Sequence, residues 1–236
     1  MLTSRATALG LLVVLVALAL VIPGRVAFFL LPPLALLPRF VGHLRAGRLG
    51  AAARDSLLWA LALSILTIAC VALFPVHTAT RIARGVEYRD EMFRWITTGV
   101  GKEGEIRQFL PEHLTHLALL LLLSFATGGI AALYLGGFLL GYMNFYVGSL
   151  IAASHMPAYA AAVGWPVWSI CRVAGFVLAA IAVARPFYAR FRHTRPDLTS
   201  GIPLLIAGLS LAAADILLKL TLAETWRSFL SSALLG

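Results

Sequence analysis

Long apolar runs separated by short, arginine-bearing segments dominate this chain. The runs extend from Ala6 to Ile22, Ser56 to Pro75, Leu114 to about Tyr134, Gly137 to Ala153, Trp165 to Ala184 and Ile202 to Leu222. Each approaches the length of about 20 residues that crosses a bilayer as a helix, so about six spans are expected. The stretch from Leu114 to Ala153 is too long for one crossing at about 1.5 Å per residue and must fold back. The glycine pair Gly136-Gly137 is the expected turn. A further apolar piece, Val26 to Leu37, is too short to span and is broken by Pro32-Pro33. It reads as a re-entrant or interfacial segment, with a broken helix shared with the first run as the alternative. The first run starts with a base, like a signal peptide, but lacks a small-x-small cleavage site and is read as retained. The expected fold class is all-α: a polytopic transmembrane helical bundle, one domain over residues 1–236, with a charged outer loop over 76–112.

Composition agrees. Of 236 residues, 61% are hydrophobic and 12% charged, with a mean hydropathy of +0.91, whereas a soluble domain carries about 25% charged residues. The formal charge of +9 sits in short loops, where it marks the cytoplasmic side, so the bilayer and not nucleic acid is the expected partner. Arg39, Arg45, Arg48 and Arg54 precede the second span, and Arg185, Arg190, Arg192 and Arg195 follow the fifth. Both segments should be cytoplasmic. The 76–112 loop, which balances arginines with acids, then lies outside. Strict alternation puts both termini outside, unless the Pro32-Pro33 segment crosses and returns the N-terminus to the cytoplasm. Within the outer loop, Ile82, Val86, Phe93 and Ile96 recur at helical spacing beside Trp95, predicting either an interfacial helix or a solvated cap on the bundle. Cys70 and Cys171 both fall inside spans and support neither a disulfide framework nor a metal motif.

Candidate chemistry begins with charges at membrane depth. Arg172 and Asp215 each interrupt an apolar run, which costs at least about 2.5 kcal/mol unless the charge is paired or hydrated. If the fifth span runs inward and the sixth outward, both lie about 10 Å below the outer surface. An ion pair between them is therefore expected, with Lys219, one turn from Asp215, as the rival partner. Gly137, Gly141, Asn144 and Gly148 share one face of the fourth span. Gly137 and Gly141 form a small-xxx-small pair that admits a neighbouring backbone, and Asn144 on the same seam needs a hydrogen-bond partner.

Alternation also gathers His77, His113, His116 and His155 on the outer side. Glu112, His113 and His116 fall within one helical turn, so a divalent metal held by these residues is one candidate. The Glu-His-x-x-His order is not that of a zinc protease, and simple interfacial histidines are the plainer account. Serine-nucleophile, phosphate-loop and CxxC patterns are missing, so no catalytic residue is assigned and no cofactor is expected.

From Phe109 to Leu222 the layout resembles the stage II sporulation protein M family of bacterial membrane proteins. The residues carrying the resemblance are the polar helix start Phe109-Leu110-Pro111-Glu112-His113-Leu114, the Gly-rich Gly136-Gly137-Phe138-Leu139-Leu140-Gly141, and a last helix bearing Asp215. The N-terminal proline segment and Arg172 lie outside that layout. The resemblance implies a non-enzymatic, multi-pass component of the bacterial cytoplasmic membrane that assembles with other membrane or envelope proteins. Two other classes stay open: a permease subunit with a polar path at Arg172, Asp215 and Asn144, and a metal-dependent membrane enzyme built on the outer histidines.

Overall fold

A computed structural model of the chain describes residues 4–189 and 199–235. These residues form helices α1 (Arg5–Val21), α2 (Val26–Leu34), α3 (Leu37–Arg45), α4 (Leu49–Leu73), α5 (Pro75–Ala79), α6 (Gly85–Thr98), α7 (Ile106–Thr127), α8 (Ile130–Ala153), α9 (Pro157–Val163), α10 (Val167–Ala189) and α11 (Ile202–Leu235), with 3-10 turns at Lys102–Gly104 and Thr199–Gly201. Five of them, α4, α7, α8, α10 and α11, are long and apolar enough to cross a membrane. The pair α2 and α3, bent by 48° at its break, is a sixth candidate, and α1 is a shorter apolar helix of 17 residues. Arg190, Arg192 and Arg195 of the basic loop lie outside the described residues.

Contacts at the helix ends fix the path of the chain. The start of α1 lies beside the start of α4, because Arg5 Nε donates to Asp55 Oδ1 at 3.0 Å. Its far end lies beside α5, where His77 Nε2 and Arg81 Nε reach the Leu20 carbonyl at 2.8 and 2.9 Å. Helix α1 therefore ascends toward the end that carries residues 76–112, the cap end. Helices α2 and α3 return, so the N-terminus lies opposite the cap, the second of the two expected topologies. Pro32 and Pro33 sit inside α2, and the break follows before Pro38 in the first turn of α3, which cannot supply the backbone N–H that would bond Leu34 and continue the helix. Trp59 Nε1 of α4 also donates to the Pro32 carbonyl at 3.1 Å, beside the backbone bond from Ala35.

The turn between α7 and α8 differs from expectation. It falls at Gly128-Gly129, not Gly136-Gly137. Both turn glycines take positive φ, 63° and 83°, a region costly for other residues. A Cβ on Gly128 would stand 2.6 Å from Phe187, and one on Gly129 2.7 Å from Phe40. Gly136 and Gly137 instead lie within α8. In the cap, α6 is the helix expected in the outer loop, and protein covers its apolar face. Met92, Trp95 and Ile96 are buried in one cluster with Tyr146, Leu150 and Leu230, while Glu87, Asp90 and Arg94 face outward. At about 1.5 Å per residue, α11 is longer than the roughly 30 Å hydrocarbon layer, and its last turns join the cap.

Helices α10 and α11 approach until their backbones touch. A Cβ on Gly175 would lie 2.7 Å from the Gly208 carbonyl oxygen, and one on Gly208 would lie 2.6 Å from the Ala179 nitrogen. Between lipid-embedded helices, where water no longer drives association, such backbone proximity carries the packing energy. Gly208→Ala should therefore lower stability by about 1–3 kcal/mol through overpacking. Gly136→Ala, where an added Cβ meets nothing within 4 Å, should be neutral or stabilise by about 0.5–1 kcal/mol. Unfolding in mild detergent with increasing denaturant checks both, and equal losses would contradict this packing. For the topology, Ser4→Cys and Ser228→Cys, each made in a Cys70→Ser/Cys171→Ser background, should react with an impermeant maleimide from opposite membrane faces.

Candidate functional site

Three helices meet on Asp215 at membrane depth. Arg172 of α10 donates from Nε to Oδ2 at 2.9 Å and from Nη2 to Oδ1 at 3.1 Å, a two-pronged fork. His113 of α7 brings Nδ1 to 2.9 Å from Oδ2, and the side chains of His113 and Asp215 are both 0% exposed. A forked guanidinium–carboxylate contact with a further polar neighbour is the geometry that can offset the desolvation of a buried acid.

Lys219 does not compete for Asp215. Its Nζ lies 2.8 Å from Glu103 Oε2, on the cap's 3-10 turn, and 3.3 Å from the centre of the Phe109 ring. The Arg172 guanidinium approaches the same ring at 4.9 Å, so Phe109 accommodates both cations in a water-poor site. Nearer the surface, Lys102 Nζ donates to Glu112 Oε2 at 2.9 Å and lies 3.8 Å from Glu91. The hydrogen bond to Glu112 holds the Lys102 ammonium above its ordinary range.

Asn144 is likewise closed on protein partners. Its Nδ2 donates to Ser64 Oγ of α4 at 2.9 Å, and its Oδ1 accepts from Trp165 Nε1 at 2.9 Å. The glycines along its face admit this chain's own helices. A Cβ on Gly137 would meet Trp59 at 3.3 Å and Pro33 at 3.4 Å, one on Gly141 would meet Phe28 at 3.6 Å, and one on Gly148 would meet Val71 at 2.6 Å. The seam joins α8 to α2 and α4, so it is not free for a partner protein.

A second acid node lies at the end opposite the cap. Asp55 of α4, 5% exposed, accepts from Arg39 Nε at 2.9 Å and Arg5 Nε at 3.0 Å, and lies 3.0 Å from His43 Nε2. It ties α1, α3 and α4 together as Asp215 ties α7, α10 and α11. Nothing in its spacing singles out Asp55, which stands at the start of an apolar run among arginines that read as orientation marks. The available signal was compositional: Asp55 is the acid nearest to Arg39, Arg48 and Arg54, and a carboxylate entering a span needs a base.

The structure does not gather the outer histidines. His113 serves Asp215, His77 contacts the Leu20 carbonyl, His155 is exposed, and Glu112 belongs to Lys102. Among the described residues, no group of three His, Cys, Asp or Glu side chains is placed to hold a metal ion. No protein-family profile, curated protein or solved structure matches this chain.

The cap-end node yields a double-mutant test. Arg172→Ala strands the acid and should destabilise by about 3–5 kcal/mol. Arg172→Ala/Asp215→Ala should lose clearly less, giving a coupling energy that reversible unfolding can measure. Additive losses would mean that the pair is not a structural unit.

Proposed function

We propose that this protein is a non-enzymatic scaffold or assembly subunit of the bacterial cytoplasmic membrane, a fixed helical frame that presents its cap to other membrane or envelope proteins. The closure of Asp215 and Asn144 on partners from this chain is the observation that carries this reading. Asp215 and Asn144 are 0% exposed, and each is hydrogen-bonded across helices by groups that must stay in place to satisfy it. A residue serving a moving solute would need water or an interchangeable partner at the same depth. The cap supports the reading from the other side. It is pinned by Trp95 and Ile96, both fully buried, yet it shows Glu87, Asp90 and Arg94 outward on a rigid helix.

Photo-crosslinking residues placed at Glu87, Asp90 and Arg94 should capture a stoichiometric protein partner in native membranes. Charge reversal at these positions should abolish capture while the unfolding transition stays unchanged. The permease reading would replace this one if the reconstituted protein carried a solute flux that a folded Asp215→Asn variant lost.

A further inference from the structure

The two acid nodes differ in charge balance. At the cap end the balance closes, with Arg172 facing Asp215, Lys219 facing Glu103 and Lys102 facing Glu112. At the opposite end it does not. Arg39 Nε donates to Asp55 Oδ2 at 2.9 Å, and Arg5 and Arg54 approach the other oxygen, Oδ1, at 3.0 and 3.7 Å. One carboxylate thus stands among three guanidinium groups, and two positive charges are left over even with His43 neutral. Arg45 and Arg48, exposed on the connection from α3 to α4, add to the surplus.

Two of the bases around Asp55 are accessible. The Arg39 side chain is 10% exposed, whereas those of Arg5 and Arg54 are 46% and 57% exposed. Both reach Asp55 with Nε, and a guanidinium held through Nε keeps its terminal N–H groups for a second acceptor. Their heights match as well. Arg5 directly precedes the apolar run of α1, and Arg54 stands just before that of α4, so both lie where the hydrocarbon layer gives way to lipid head groups.

Deeper in the membrane the same two faces are apolar. Leu9 follows Arg5 and Leu58 follows Arg54 by one helical turn, so each base has a leucine about 6 Å further in on its own helix face. Both leucines are 42% exposed. With Ala8, Leu36 and Trp59 they line a recess between α1, α4 and the α2–α3 break, whose charged end is formed by Arg5, Arg39 and Asp55. At about 40 Å3 the recess is too small to enclose a hydrocarbon chain. It is a dent in the lipid-facing surface against which a chain of the bilayer lies.

We infer that this corner of the bundle binds an anionic phospholipid of the phosphatidylglycerol class, its phosphate bridged by Arg5 and Arg54 and one acyl chain lying across Leu9 and Leu58. The surplus charge selects the head. A phosphodiester accepts the paired N–H groups of a guanidinium in charge-assisted bonds, and a head with no cation of its own offsets the excess. A zwitterionic head instead brings an ammonium into surroundings already rich in positive charge. The site lies at the end away from the cap and is independent of the scaffold reading.

The test uses full-length protein in nanodiscs of equal phosphatidylglycerol and phosphatidylcholine. Native mass spectrometry of the released protein should find phosphatidylglycerol retained over phosphatidylcholine by at least about fivefold, the factor that one basic side chain contributes at an anionic surface. A phosphatidylglycerol with a diazirine near the head-proximal end of one chain should crosslink to Ala8, Leu9 or Leu58. Arg5→Gln/Arg54→Gln should erase the preference. Arg54→Gln alone should lower it at least about twofold with an unchanged unfolding transition, since Arg39 and His43 still hold Asp55. Arg45→Gln/Arg48→Gln removes as much charge from the same end, away from the recess, and should keep most of the preference. Equal retention of the two lipids, crosslinks that map away from α1 and α4, or equal losses from the two double variants would each overturn the assignment, the last by showing a diffuse attraction in place of a site.

Discussion

A carboxylate removed from water must be met on several sides at once, and the bundle is arranged around doing this at each end. Asp215 collects a guanidinium fork from α10 and an imidazole from α7. Asp55 collects guanidinium groups from α1 and α3 and an imidazole from α3. Each acid thereby specifies where three helices stand relative to one another. The net stabilisation from such nodes is small, because desolvation consumes most of the Coulombic gain. Their effect is on register. A one-residue shift of α10 against α11 would leave Arg172 and Asp215 both unpaired in an apolar setting, an error far more costly than any packing it could improve.

Between the nodes, small residues control how closely the helices approach. Gly175 and Gly208 bring α10 and α11 into backbone contact, and Gly148 does the same for α8 against Val71 of α4. Asn144 bridges α8 to α4 through Ser64 and to Trp165 before α10. Helix α8 thus has neighbours on several sides and is the most enclosed of the long helices. The more lipid-facing α7 and α11 depend correspondingly on the Asp215 node, where His113, Arg172 and Asp215 hold them against α10.

Much of this was legible in the sequence, for identifiable reasons. Arg172 and Asp215 sit on consecutive antiparallel runs, so counting residues from the loop was enough to place them at one depth. The choice of Arg172 over Lys219 required geometry, because spacing alone allows both. His113 was visible as a polar residue at a helix start, but its role depends on how α7 crosses α11, which no local pattern encodes. The α7–α8 turn was ambiguous because two glycine pairs lie in one apolar stretch. Gly128-Gly129 turns since both residues adopt left-handed φ with aromatic rings packed over them, whereas Gly136-Gly137 stays helical with one glycine facing Trp59 and the other facing open space. The Asp55 node escaped because Arg5, Arg39 and His43 come from segments whose path depends on whether the Pro32-Pro33 piece returns across the bundle. Once it returns, those bases converge on the first turns of α4, and the N-terminal topology follows from the same contact.

Arg172 belongs to the frame. Its Nε and Nη2 are committed to Asp215, while its remaining edge borders the cavities shared with His116 and Tyr142. A side chain fixed in this way cannot swing to follow a solute, so the polar groups at the cap end keep their places. The cap rests on α8 and on the far end of α11, and the pairs Lys219–Glu103 and Lys102–Glu112 join it to the bundle. The opposite end follows the same plan with a different remainder. Arg5 and Arg54 reach Asp55 and stay about half exposed, so the charge that the cap end closes within the protein is there left for the bilayer to answer.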